Sequence, residues 1–123
     1  MMVLGFSAGS DAFGISIEYI SEVIPLLHVE PSNVDVKGLL GVFDFRGSRI
    51  PLFDLRLAKE GVEANAALST RIILLESRGL SVGLFAENVV ELFEVSEGET
   101  LAGRAIVVPE DIIPESLYNI FSA

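Results

Sequence analysis

Few residues in this chain combine the type and spacing that chemistry needs. Asp44 and Asp54 flank the turn Arg46-Gly47-Ser48-Arg49, and two nearby carboxylates are the raw material of acid-base catalysis. Both alternate with Phe43, Phe45, Phe53 and Leu55, so a wet strand face or a turn cap is the expected place for each. His28, the single histidine, stands between Leu27 and Val29 with no acid spaced to orient it as a base, and is expected as a strand histidine with a satisfied ring. Cysteine is absent, so thiolate metal sites, thiol nucleophiles and disulfides are excluded, and one histidine leaves no ordinary zinc set. The carboxylates of Glu94-Val95-Ser96-Glu97-Gly98-Glu99 lack the alternating Asp/Asn ligands of a calcium loop and read as a solvated turn. No glycine-rich phosphate loop opens a helix. No cofactor and no metal are expected. Arg46 is different: it interrupts the apolar run from Leu39, and its guanidinium either braces the turn through carbonyls, Asp44 or Asp54, or is presented as a charged fork to another protein.

The elements that must position these residues are short. Apolar residues recur with period two in runs bounded by Gly, Pro, Asn and Asp, which predicts an all-β domain. Strands are expected at Val3–Ser7, Ala12–Ile17, Ile24–Val29, Leu39–Arg46, Arg49–Phe53, Arg71–Glu76, Ser81–Phe85, Val89–Val95 and Arg104–Val108. Gly47-Ser48 and Arg78-Gly79 suit two-residue hairpin turns. The Ser21 region reads as helical, and Pro114 fits the first position of a short C-terminal helix. Gly61–Leu68 reads as a connector between two halves of one domain spanning residues 1–123.

Those halves repeat. Gly14 and Gly83, Glu18 and Glu87, and Glu22 and Glu91 share one spacing (83 − 14 = 69), and apolar pairs such as Phe6 with Leu75 and Ile24 with Phe93 keep it. The expected result is two similar strand-turn-strand-Glu-strand units, forming two small barrels side by side.

Charge and hydropathy bound the partners. Eight basic against 18 acidic residues give a net charge of −10, with no basic run, which argues against nucleic acid. Half of the 123 residues are hydrophobic, yet no stretch approaches the roughly 18 needed for a membrane helix, and the first residues lack the basic leader of a secretory signal. A cytoplasmic protein with no direct membrane insertion, some of its apolar surface buried against a partner, is the expectation.

The string Gly38-Leu-Leu-Gly-Val-Phe-Asp-Phe-Arg-Gly-Ser-Arg-Ile-Pro-Leu-Phe-Asp-Leu-Arg56 resembles the signature of the CheW-type chemotaxis coupling proteins: a hydrophobic strand, Arg46-Gly47, Ile50-Pro51, a hydrophobic pair, then Asp54-Leu55-Arg56. The resemblance extends through Phe13-Gly14-Ile15, Ile20–Ile24, Ser69–Leu74, Gly83–Val95 and Ile112–Tyr118. It implies two SH3-like β-barrels packed side by side, with short helical turns and a short C-terminal helix. It also implies a non-catalytic adaptor that couples the cytoplasmic tip of chemoreceptors to the regulatory domain of the histidine kinase CheA, within membrane-bound receptor arrays. Carried over by position, Ile20, Glu22, Arg46 and Arg71 fall in the receptor-binding groove, and Arg46, Gly47, Pro51 and Asp54 form the hairpin motif. The chain departs from the family in lacking a proline-rich turn before Arg46, with Pro31 displaced and Asp35 in the segment. It is also shorter by roughly a hairpin between Val95 and Pro109, which predicts a truncated second barrel whose open edge is paired or covered, for example in a homodimer. The alternatives are a regulator keeping one of the two interfaces, or a β-barrel enzyme or small-ligand binder using Asp44 and Asp54.

Overall fold

The computed structural model describes residues 1–63, 65–96 and 103–121. Nine strands follow the alternating pattern: β1 (Met2–Ala8), β2 (Asp11–Ser16), β3 (Ile20–Pro25), β4 (Leu39–Phe45), β5 (Ser48–Phe53), β6 (Arg71–Ser77), β7 (Leu80–Ala86), β8 (Asn88–Glu94) and β9 (Ala105–Val107). Helices α1 (Leu55–Glu60), α2 (Pro109–Ile112) and α3 (Glu115–Phe121), with a 3-10 turn at Ile17–Tyr19, complete the described elements. The class is all-β, as expected.

Two Arg-Gly dipeptides set two hairpins. Arg46 and Gly47 have φ of 50° and 81°, and Arg78 and Gly79 have 52° and 76°, so both central residues of each turn are left-handed. Such turns match the twist of the flanking strands. The first hairpin is therefore closed by Phe45 opposite Ser48, one residue earlier than the expected Gly47-Ser48 turn, because Ser48 already belongs to β5.

The repeat governs the topology. β1 with β2 and β6 with β7 have the same register 69 residues apart, Val3 opposite Ser16 and Ile72 opposite Phe85. The third strand of each unit is exchanged: β3 pairs with β6 (Ile24 opposite Ile72), and β8 pairs with β1 (Phe93 opposite Val3). The fourth position is also shared, since β5 runs parallel to β7 with Leu52 opposite Gly83, and β9 parallel to β2 with Ile106 opposite Gly14. Here the spacing has fallen to 54 (106 − 52), so the second half is 15 residues shorter (69 − 54). Among the described residues it has no counterpart of β4. The result is one sheet of five strands, β3-β6-β7-β5-β4, and one of four, β8-β1-β2-β9.

These are sheets rather than the closed barrels expected from the sequence. The edges of the five-stranded sheet, β3 and β4, are not laddered together; past the end of β3 an isolated bridge in which Glu30 and Val42 exchange two 2.8 Å backbone hydrogen bonds ties the chain to β4, and an ion pair described below ties it at the other end. The sheet thus curls without closing.

Other departures have local causes. The third strand begins at Ile20 rather than Ile24, because Ser16 caps the 3-10 turn by accepting from Glu18 N and the chain is extended again by Ile20. Ser21 is therefore in a strand, not a helix, its hydroxyl donating to Leu74 O at 3.2 Å. α1 was not expected; Asp54 caps its start, and Gly61, at φ 72°, ends it in the left-handed conformation. α3 follows Pro114 as expected. Residues 97–99 of the acidic turn lie outside the described residues, as does Ala64 of the connector.

One core fills the space between the sheets, with Phe6, Phe13, Ile15, Phe53, Ile73, Leu75, Val82 and Leu84 from the strands and Leu117 and Tyr118 from α3. A second lies on the other face of the five-stranded sheet: Ile24, Phe43, Ile50, Leu52, Ile72, Leu74 and Phe85. In the four-stranded sheet the matching positions hold Phe93, Arg104, Ile106, Val3, Gly5 and Ser16. Arg104 occupies the place of Ile50, its Nη1 donating to Phe6 O at 3.0 Å and Phe13 O at 2.8 Å, with its guanidinium 5.4 Å from the Phe93 ring center. A Cβ on Gly5 would lie 2.7 Å from Phe93 and 3.2 Å from Arg104, so glycine there makes room for the arginine.

α3 is latched by the second Arg-Gly turn. Arg78 grips Glu115 with two bonds of 2.8 and 2.9 Å and stacks 4.2 Å over Tyr118, whose hydroxyl is 2.7 Å from Ser77 Oγ. The Arg78 hydrogen bond holds the Glu115 carboxyl below its ordinary 4.5. A lowered folded-state value contributes stability that is present above the ordinary glutamate range and lost as pH falls through the lowered value. The Tyr118 ring resonances should therefore shift as pH falls below the ordinary glutamate range and the Arg78–Glu115 pair is lost, and Arg78→Gln should weaken that dependence. Identical acid titrations of the two proteins would refute it.

Candidate docking groove

The five-stranded sheet opens at the end carrying both Arg-Gly turns. Alternation along its strands places Glu22 of β3, Phe45 of β4, Ser48 and Ile50 of β5, Leu74 and Glu76 of β6 and Ser81 of β7 around one depression of about 360 Å³, with Arg46 at its rim. Leu74 and Ile50 make the floor; carboxylates and hydroxyls make the rim.

Arg46 spans the mouth. Its Nη1 and Nη2 donate to Glu22 Oε1 and Oε2 at 3.0 and 3.2 Å, and its guanidinium lies 4.6 Å from the Phe45 ring center. The side chain is nonetheless 70% exposed, and Glu22 35%. A fork-to-fork pair of this kind fixes both side chains in a plane. Because β3 and β4 are the two edges of the sheet, the pair closes at one end what the Glu30–Val42 bridge closes at the other. Arg46 keeps a left-handed backbone that a non-glycine residue rarely adopts, a local cost that Arg78 also bears.

Of the four groove residues expected from the resemblance, Glu22 and Arg46 are brought together. Ile20 lies at the head of β3 opposite Leu75, half-buried against the central core. Arg71 lies opposite Pro25 at the far end of that pairing, three residues from Leu74, roughly 10 Å along the strand. Its Nη1 donates to Leu68 O and Thr70 O at 2.9 and 2.8 Å, tying down the end of the connector.

The hairpin residues divide their work. Gly47 completes the turn. Pro51 lies in β5 opposite Val42, just before pairing to β7 begins at Leu52, so its missing N–H interrupts no described ladder there. Asp54, fully buried, accepts from Arg56 N at 2.9 Å and caps α1. Asp44 is exposed opposite Arg49, 3.5 Å from that guanidinium. The two aspartates are thus at opposite ends of β5, separated by roughly 17 Å of strand, and form no dyad. A wet strand face was an expected place for Asp44; Asp54 caps a helix rather than a turn.

His28 is exposed and lies beyond the end of β3, not in a strand. It lines a depression of about 270 Å³ with Leu27, Phe43 and the charged trio Glu30, Asp44 and Arg49. Arg49 donates to Glu30 at 2.9 Å, a bond that holds the Glu30 carboxyl below and the Arg49 guanidinium above their ordinary values. Among the described residues no group of His, Asp or Glu is placed to hold a metal ion, and no helix is long and apolar enough to cross a membrane.

The sequence reading missed Glu76 and Ser81, which face each other across β6 and β7 with Ser81 Oγ donating to Glu76 Oε1 at 3.0 Å. It also missed the role of Arg78, for which the repeated Arg-Gly dipeptide was the available signal.

No curated protein matches the sequence. The crystal structure of the scaffolding protein TtCheW from Thermoanaerobacter tengcongensis shares the fold with a TM-score of 0.71 at 24% identity, over 78% of this chain and 62% of that one. The chain thus spans less than two thirds of the length of that protein. A model of the CheW-like domain matches residues 2–108, a range containing all nine described strands and the Arg46–Glu22 groove, and the chain therefore belongs to the CheW-like domain family.

Proposed function

We propose that the protein is a non-catalytic scaffold of bacterial chemosensory signalling, coupling the cytoplasmic tip of methyl-accepting chemoreceptors to the regulatory domain of a CheA-type histidine kinase. The observation that carries this reading is the family match across both sheets. The groove bridged by Arg46 and Glu22 is the receptor side, with Ile20 and Arg71 flanking it at the two ends of β3. The protein works in the cytoplasm, at receptor arrays. The separation of Asp44 from Asp54 supports a role without catalysis. Val90 and Leu92, exposed on the edge strand β8, are the apolar residues that a homodimer through that edge would cover.

The 15-residue shortening of the second half favours one other reading, a regulator that keeps a single interface and blocks array assembly. Pull-down with a kinase regulatory domain and, separately, a receptor-tip fragment distinguishes them. A scaffold retains both fragments, a regulator one. Retention of neither refutes both.

A further inference from the structure

The mouth of the five-stranded sheet has more chemistry than the Arg46–Glu22 pair uses. Glu76 reaches into the same depression from β6, where its hydrogen-bond partner is the Ser81 hydroxyl, and among the described residues no cation lies within ion-pair distance of it. Two carboxylates therefore face one guanidinium, leaving one negative charge uncompensated (−2 + 1 = −1) over a floor of Leu74 and Ile50. The rim is also where the two sheet edges meet without a ladder, so a side chain entering there breaks no backbone hydrogen bond of the sheet.

We propose that this mouth is a receiving site for one cationic side chain, an arginine presented by a partner protein, whose aliphatic stem lies on Leu74 and Ile50 and whose guanidinium pairs with Glu76 and a free lone pair of Glu22. Carboxylates can each accept several hydrogen bonds, so Glu22 serves Arg46 and the incoming group together. Arginine suits the site because its planar fork matches carboxylates and its stem covers apolar surface. The charge of the whole protein, −10, draws a basic partner segment toward it. The inference deepens the receptor-groove reading by naming the chemistry the partner must present, but the mouth is defined by its own residues and is testable without any receptor.

The test titrates the isotopically labelled protein with N-acetyl-arginine amide and, in parallel, with the uncharged isostere N-acetyl-citrulline amide, following backbone amide resonances. Arginine amide should give weak, saturable shifts centered on Leu74, Glu76 and Ser81, which citrulline amide does not reproduce. Glu76→Gln, a change at an exposed position, should keep the thermal midpoint and weaken arginine amide binding about tenfold or more, the scale of a lost charge-assisted hydrogen bond. Equal shifts from both ligands, shifts centered elsewhere, or unchanged binding by Glu76→Gln would overturn the proposal. Failure of the receptor-tip pull-down with a positive titration would refute the receptor reading and leave the mouth site standing.

Discussion

Arg104→Ala should destabilise the protein by about 2–4 kcal/mol. The side chain stands where the five-stranded half has Ile50, and the space around it was shaped for it: Gly5 and Gly14 face it from β1 and β2, where a Cβ on Gly14 would lie 3.7 Å from its Cδ. Two carbonyls, Phe6 O and Phe13 O, accept from its Nη1, and truncation leaves both without that donor in a half-buried setting. A cavity term adds to the two lost hydrogen bonds, because the shorter half has no β4 counterpart among its described residues to collapse onto the gap. Arg104→Met restores bulk without the donors and should recover part of the loss. Urea denaturation of the three proteins measures this; a loss below about 0.5 kcal/mol in Arg104→Ala, the ordinary range for surface changes, would show that the arginine is not a substitute core residue.

Arg46→Ala should have the opposite profile, with a large functional effect and a small structural one. The ion pair with Glu22 is largely exposed, and such pairs contribute about 0.2–1 kcal/mol. Alanine meets the same left-handed backbone cost as arginine, so the turn itself gains and loses little. The thermal midpoint should hardly move, kinase-domain binding should be retained, and receptor-tip binding should fall at least about tenfold, as for a hot-spot arginine. In a double-mutant cycle with Glu22→Ala the two changes should be far from additive, since one planar contact joins the residues. An unfolded variant, or one that binds the receptor tip as the parent does, would return Arg46 to the role of a turn brace.

The sequence made the hairpins and the repeat legible because both rest on local signals: alternation, Arg-Gly turns and one constant spacing. Strand exchange was hidden, since periodicity tells which face of Ile24 is buried but not that its neighbour is Ile72 rather than Val3. α1 escaped because six residues are too few to set a helical period, although Asp54 and Gly61 mark both its ends. Glu22 and Arg46 entered as a pair through family resemblance alone; 24 residues separate them, and only the curl of the sheet joins them. Glu76 and Ser81 gave no signal at all, being an ordinary acid and an ordinary serine on either side of a turn until the register of β6 and β7 sets them opposite each other.

Under the proposed function this one chain links a receptor to a kinase. Sedimentation velocity on the protein mixed with a receptor-tip fragment and a kinase regulatory domain measures that link, with each fragment carrying a different chromophore. A scaffold gives a boundary containing both chromophores, absent when this protein is omitted and lost for the receptor chromophore alone in Arg46→Ala. Two separate boundaries, each with one chromophore, would contradict it.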